Sequence, residues 1–467
     1  MIHGVPPLEQ VAGMDEFAGA FGDRRRSAAV QRLFDGIVDR QSVVIRKVGG
    51  TRGGELSAHR VLSSAEVTPQ GTVACLCRGT AVAVAGRRVV AVQDTTEVNF
   101  AGRAWRGLGP AGRAQTPVPG FFVHAMVAVD SESDAVLGLV DAQIWTRPAE
   151  TAEVPTGRRQ RLLAEKESHR WLKGAQTAAT RLPSAREIIV VGDRDSDIFA
   201  VFARRPPGVH LLVRAAQNRA LADGGLLFSA PESWPLLGRQ VVRVPPRGPG
   251  DRGRDAMVEL RAGQVRMRRP RNGLRDGDPA ELSLTMVEAV EPDPPAGASP
   301  LHWRLLTTLE AADEAMAADA VRLYRLRWRI EQTFRMLKTH GLQLEDTQTA
   351  EPHRLFNLTA LAIGSAVRII QLVDARDGSA RPASDVADPH QIAAAAALCP
   401  RLEGATQRQR NPHPTGSLAW LSWIVARLGG WNCYYKPPGP KTMRDGWLRF
   451  AAIAEGFQLA HPPKHDV

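Results

Sequence analysis

Two short, unbroken apolar runs, each closed by a single aspartate, constrain this chain more than any other feature. Val89-Val90-Ala91-Val92 leads through Gln93 to Asp94, and Ile188-Ile189-Val190-Val191 leads through Gly192 to Asp193. Apolar runs of this length without alternation are strands covered on both faces. The region around them, from about residue 70 to residue 213, therefore reads as α/β. Further strands are expected at Phe121–Val129 and Ala135–Val140, joined by the polar turn Asp130–Asp134 and hence antiparallel. Val209–Val213 is another, ending at Arg214, and Leu162–Ala179 has helical spacing.

On either side the pattern changes. Val11–Phe21 and Ser27–Ile37 read as helices, with Ser27 as the expected cap of the second. The stretch Gly49-Gly50-Thr51-Arg52-Gly53-Gly54 is expected to be a flexible loop. From about 215 to 300, Gly, Pro and Arg punctuate short alternating runs, Gln240–Val244, Val258–Leu260 and Leu282–Ala289. This is a β-rich insertion. Leu301–Thr308 returns to a strand pattern, and Ala311–Thr339 reads as one long helix broken near Ala317. Leu355–Val373 is a strongly apolar helix. A polar linker from about 374 precedes helices near Gln391–Leu398, Leu418–Leu428 and Gly446–Ile453. The expected divisions are 1–69, helical; 70–373, α/β with the insertion; and 374–467, helical.

Lys plus Arg is 60 against 49 Asp plus Glu, a net charge of +11. That favours a polyanionic partner, although a composition rich in Ala, Arg, Gly and Pro raises the arginine count by itself. No run approaches 18 apolar residues, and the N-terminus lacks a basic segment followed by an apolar one, so no membrane role is expected. The four cysteines form no C-x-x-C pair, which argues for reduced thiols in a cytoplasmic protein rather than a zinc site.

An acid just past a buried strand projects from the rim of a sheet. Two of them on neighbouring strands offer hard oxygen ligands suited to Mg²⁺ or Mn²⁺. The bland alternative is that each Asp caps a turn. A third observation bears on the choice. Taken as one ideal helix, Arg322–Thr339 carries Tyr324, Arg327, Glu331 and Lys338 within a stripe of about 60°. One acid among two cations and a phenol suits a metal carboxylate beside bound phosphates; a solvated charged face is the rival reading.

The spacing Y-x2-R-x3-E-x6-K resembles the YREK signature of bacterial DDE transposases of the insertion-sequence-four family, transposon-five type. Val92–Thr96, Gly192–Phe199 and Leu301–Thr308 are similar to that family's other motifs in order and separation, and the likeness extends over almost the whole chain. The resemblance implies a ribonuclease-H-like catalytic core over 70–373 with a β-rich insertion, flanked by helical N- and C-terminal domains, 1–69 DNA-binding and 374–467 dimer-forming. It implies Asp94, Asp193 and Glu331 as a triad holding two Mg²⁺ ions, with Mn²⁺ able to substitute. The activity implied is cut-and-paste transposition: nicking of the transposon end, hairpin formation and opening, then joining of the 3′ end to target DNA. A homodimer would synapse two ends, with Ser417–Leu428 helping to pair subunits, in the bacterial cytoplasm at the nucleoid.

By the same resemblance Trp303 stacks on a flipped base, and Tyr324, Arg327, Lys338 and Arg214 contact DNA. Arg25, Arg26 and Arg60 are N-terminal candidates for DNA contact. Glu97 rivals Asp94, and Asp195 and Asp197 rival Asp193. Phe199 stands where the family has a polar residue. Competing readings are a DDE nuclease that cuts without joining and a transposase-derived DNA-binding regulator without catalysis. A buried His124 reads as a core residue.

Overall fold

A computed structural model describes residues 15–100, 107–113, 116–148, 163–244, 253–270, 278–311, 313–349 and 351–461. In chain order the helices α1 (Arg24–Arg40), α2 (Ile45–Gly49), α3 (Arg52–Ser63) and α4 (Pro69–Ala83) come first. Strands β1 (Arg88–Asn99), β2 (Pro110–Arg113), β3 (Thr116–Asp130) and β4 (Val136–Trp145) follow. Then come α5 (His169–Arg181), β5 (Glu187–Gly192), α6 (Phe199–Ala203) and β6 (Val209–Arg214). Strands β7 (Gly238–Val244), β8 (Arg254–Arg268), β9 (Glu281–Val290) and β10 (His302–Thr307) precede α7 (Glu314–Arg325) and α8 (Trp328–Leu337). The chain closes with α9 (Pro352–Ala375), α10 (Pro389–Leu402), α11 (Leu418–Leu428) and α12 (Pro440–Ala460).

Two compact units divide these elements. The first draws on Met1–Ala85, Thr95–Ala152 and Arg329–Val467; the second on Gly86–Asp94 and Glu153–Trp328. Both ends of the chain thus serve the same unit. Its centre is α9, almost wholly buried, with an apolar stretch long enough to cross a membrane but enclosed by protein. Polar anchors fix its neighbours: Asn357 Nδ2 donates to the carbonyls of Leu62 (3.1 Å) and Val67 (2.7 Å), and Gln371 Nε2 to that of Leu137 (2.8 Å). Strands β3 and β4 form the expected antiparallel pair. Helix α11 is buried from Leu418 to Ala426 and packs on α9, α10 and α12. Its residues Leu418–Ala426 thus serve the core of this unit.

The second unit is a mixed sheet in the order β1-β5-β6-β10-β9-β8-β7, with β1, β5 and β6 parallel and the rest antiparallel. The β-rich insertion is real, and it extends this sheet through β9, β8 and β7. The parallel strands are the continuous apolar runs of the sequence, buried on both faces.

Other expectations change. Val11–Met14 lie outside the described residues, and from Asp15 to Phe21 the chain makes turns rather than a helix. Asp23, not Ser27, caps α1, its Oδ1 accepting from the Arg25 amide at 2.8 Å. The glycine stretch is a tight joint between α2 and α3. Thr51 caps α3 by accepting from Gly54 N at 3.1 Å, and a Cβ on Gly54 would lie 2.1 Å from the Gly49 carbonyl oxygen. Glycine is needed there for close approach, not for flexibility. The long helix expected over Ala311–Thr339 with a break near Ala317 is two, α7 and α8, and Ala317 lies inside α7. They part at Leu326 and Arg327, whose amides bond three residues back, to Leu323 and Tyr324, at 3.1 Å each. The stripe drawn for one ideal helix therefore holds only piecewise.

Candidate active site

The site grows from one register. Val92 of β1 pairs with Val191 of β5, and Gly192 of β5 with Val213 of β6. Continuing the first register two positions sets Asp94 level with Asp193; continuing the second one position sets Asp193 level with Arg214. Residues at one level of a parallel sheet face the same side. Two carboxylates and a guanidinium thus form a row across β1, β5 and β6, at the carboxyl ends of the latter two, the edge where open α/β sheets bind ligands. Asp94 does not end its strand, as the sequence suggested: β1 runs on to Asn99.

Arg327, in the turn between α7 and α8, meets this row. Its Nη1 lies 2.9 Å from Asp94 Oδ2, with the two side chains 20% and 18% exposed. Tyr324, in the last turn of α7, is 5% exposed. Burial pushes its hydroxyl above the ordinary tyrosine range, against the opposing charges of Arg327 and Arg214. Trp303 of β10 sets its ring against Tyr324, centroids 5.2 Å apart and planes at 70°. Arg214 also donates to the His302 carbonyl at 3.1 Å, and burial depresses its guanidinium below the usual arginine value. A guanidinium that has shed water gains most from an anion offering fixed acceptors, as a phosphate does.

Burial likewise raises the Asp193 carboxyl above the usual carboxylate range, opposed by the amide of Asp195 and the charges of Arg327 and Arg170. The bland role is also realised: Asp193 Oδ1 accepts from the Asp195 amide at 2.9 Å, capping the short turn Arg194–Ser196. Arg170, in the first turn of α5, is a contributor the sequence did not single out, because only the tertiary fold brings its charge to bear on Asp193.

The rivals are otherwise engaged. Asp197 is buried, accepting from the amides of Ala216 (2.7 Å) and Gln217 (3.0 Å) and pairing with Arg219 at 2.5 Å, so it pins a loop. Asp195 is exposed. Glu97 Oε2 accepts from the Gly112 amide at 3.0 Å. His124 is a buried core residue whose Nδ1 lies 2.9 Å from Thr95 Oγ1.

The second unit by itself brings together Asp94, Asp193, Arg214, Trp303, Tyr324 and Arg327. Glu331 and Lys338 belong to the first unit. Glu331 is half-buried in the first turn of α8; Lys338 Nζ donates to the Glu97 carbonyl at 2.7 Å and pairs with Glu345 at 3.1 Å. Arg25 and Arg26 start α1, where Arg26 Nη1 donates to the Phe21 carbonyl at 2.5 Å, and Arg60 is exposed near the end of α3.

Asp94 and Asp193 fit a divalent cation by donor chemistry. Both offer hard oxygens, and desolvation leaves Asp193 in want of a counter-charge. Among the described residues no three His, Cys, Asp or Glu side chains converge as a metal centre.

A family profile for the transposase DDE domain matches residues 118–367, more than half of the chain. The chain belongs to this family, whose domain is ribonuclease-H-like and whose members use divalent ions, generally Mg²⁺. The match takes in Asp193, Arg214, Trp303, Tyr324, Arg327, Glu331 and Lys338; Asp94 precedes it.

Proposed function

We propose that this transposase is of the insertion-sequence-four, transposon-five type and moves its element by cutting and pasting. It nicks the transposon end, forms and opens a hairpin, and joins the 3′ end to target DNA, as a homodimer synapsing two ends at the bacterial nucleoid. The observation that carries the reading is the row of Asp94, Asp193 and Arg214, with Arg327 and Tyr324 packed on it.

In this reading Asp94 and Asp193 hold the divalent ions, two Mg²⁺ or Mn²⁺, with Glu331 as the third carboxylate by its place in the sequence. The chemistry such ions supply is Lewis acidity toward the scissile phosphate and a water acidic enough to attack at neutral pH. The chain's own residues do the rest. Arg214 and Arg327 hold the phosphate flanking the cut, with the buried Tyr324 hydroxyl under the field of both charges. Lys338 holds a further phosphate. Trp303, braced by Tyr324, offers a face for a base turned out of the duplex, worth roughly 1–3 kcal/mol toward the cost of unstacking. Arg25, Arg26 and Arg60 contact the end DNA.

The experiment is cleavage of the element's own end DNA with Mg²⁺ and with EDTA, resolved on a denaturing gel. Metal-dependent nicking followed by a hairpin product is expected. Nicking without hairpin or joining would leave a nuclease, and specific binding without any cleavage would leave a DNA-binding regulator.

A further inference from the structure

In the first unit, forty consecutive residues, 405–444, contain no aspartate or glutamate but six arginines and lysines. They include two loops, 404–417 between α10 and α11 and 429–439 between α11 and α12. The loops are fastened together. Thr406 Oγ1 lies 2.7 Å from the Tyr434 hydroxyl. Arg427 donates to the Leu402 carbonyl, which ends α10, at 3.0 and 3.2 Å, and to the Trp431 carbonyl at 2.8 Å.

On this braced base Arg408, Arg410, Lys436 and Lys441 are all exposed, and among the described residues no acid pairs with any of them. Two of the chain's three tyrosines sit here as well, Tyr434 at 44% and Tyr435 at 81% exposure. An ordinary solvated surface intersperses both signs of charge. Uncompensated cations beside exposed aromatic rings are instead the footprint of a nucleic-acid contact.

We propose that these two loops form a second DNA-contacting surface, separate from the catalytic row, that takes the sugar-phosphate backbone of duplex DNA without regard to sequence. Arg408, Arg410 and Lys436 meet phosphates, and Tyr435 lies against the backbone with its hydroxyl free to donate. Single-strand grooves use successive aromatic platforms; cations outnumber rings here, which favours the duplex. The inference rests on the proposed function only in taking DNA as the polyanion.

The test uses the full chain and a duplex oligonucleotide lacking the element's end sequence, with affinity measured by fluorescence anisotropy over a salt series. The variant R408A/R410A/K436A is expected to bind about tenfold or more weakly at low salt. Its log–log salt slope should be shallower by about 2–3, near 0.9 for each phosphate that is no longer neutralised. Its melting temperature and its first nick on end DNA should match wild type, since none of the three residues belongs to the catalytic row. Unchanged affinity and slope would overturn the proposal. So would tighter binding of wild type to RNA or to anionic phosphatidylserine vesicles than to the duplex. Wild type that neither binds the duplex nor cleaves end DNA would sink the proposed function; wild type that cleaves while the variant binds normally would sink this surface alone.

Discussion

Replacing Arg327 with Ala tests whether the guanidinium stands in for a cation at the carboxylate row. At 4 Å two unit charges attract by about 4 kcal/mol at an effective dielectric of 20. Part of that is spent on desolvation, and losing one partner of a fully buried pair costs about 3–5 kcal/mol. Arg327 and Asp94 are each about one-fifth exposed, so a loss of about 2–3 kcal/mol is expected in EDTA. The same change removes one of the positive charges that oppose a cation at Asp94 and Asp193. Mg²⁺ should then bind at least about tenfold more tightly, returning about 1.4 kcal/mol for each tenfold once Mg²⁺ is well above both dissociation constants. Thermal unfolding in EDTA and in millimolar Mg²⁺ reads both effects without any DNA. The Asp94→Asn/Arg327→Ala double variant should recover most of the stability and lose the enhanced Mg²⁺ response. If Arg327→Ala melts with wild type in EDTA, and Mg²⁺ stabilises both alike, the row is not a cation site held by Arg327.

Other perturbations follow from the same geometry. Glu331→Gln should leave end binding nearly unchanged and abolish cleavage; a variant that still nicks removes Glu331 from the triad. Trp303→Ala should impair hairpin formation more than the first nick, and equal loss of both steps on the gel would count against base stacking. Gly54→Ala should destabilise the first unit by about 1–3 kcal/mol, because its Cβ would meet the Gly49 carbonyl; an unchanged urea midpoint would mean the α2–α3 joint relaxes freely. Burial pushes Asp35 of α1 up to about 7, against the opposing charge of Arg368 and a hydrogen bond from Gln31. A carboxyl raised on folding contributes its full stability below the unfolded value near 4 and loses it as pH rises through about 7. Urea stability should therefore fall between about pH 4 and 7, and Asp35→Asn should flatten that fall; parallel pH profiles for the two proteins would contradict it.

The strands of the second unit are legible because burial on both faces writes itself as unbroken apolar residues, as in Val89–Val92 and Ile188–Val191. The continuation of β1 is not, since Gln93–Asn99 is mostly polar and nothing local distinguishes it from a turn. The level placement of Asp94, Asp193 and Arg214 depends on parallel pairing between segments far apart in sequence, which no single segment encodes. The α7–α8 break falls at Leu326–Arg327, without a Gly or Pro to mark it. The α2–α3 joint misleads for the opposite reason: its glycines signal close backbone approach, and in a lone sequence that looks the same as looseness. Arg327 stands out by its spacing to Tyr324 and Glu331, but only the fold reveals Asp94 as its partner.

That α9 is enclosed by elements from both ends of the chain also bears on how the protein is made. Helix α9 begins roughly 270 residues after α4 ends, an interval on the order of ten to fifty seconds at about 5–20 residues per second of translation. Throughout it, Val30, Phe34, Leu62 and Val73 have emerged from the ribosome without the helix that will complete their core. Helices α1–α4 are therefore synthesised well before α9 and completed only with it, which makes the nascent chain most prone to aggregate while the intervening segment is still being translated.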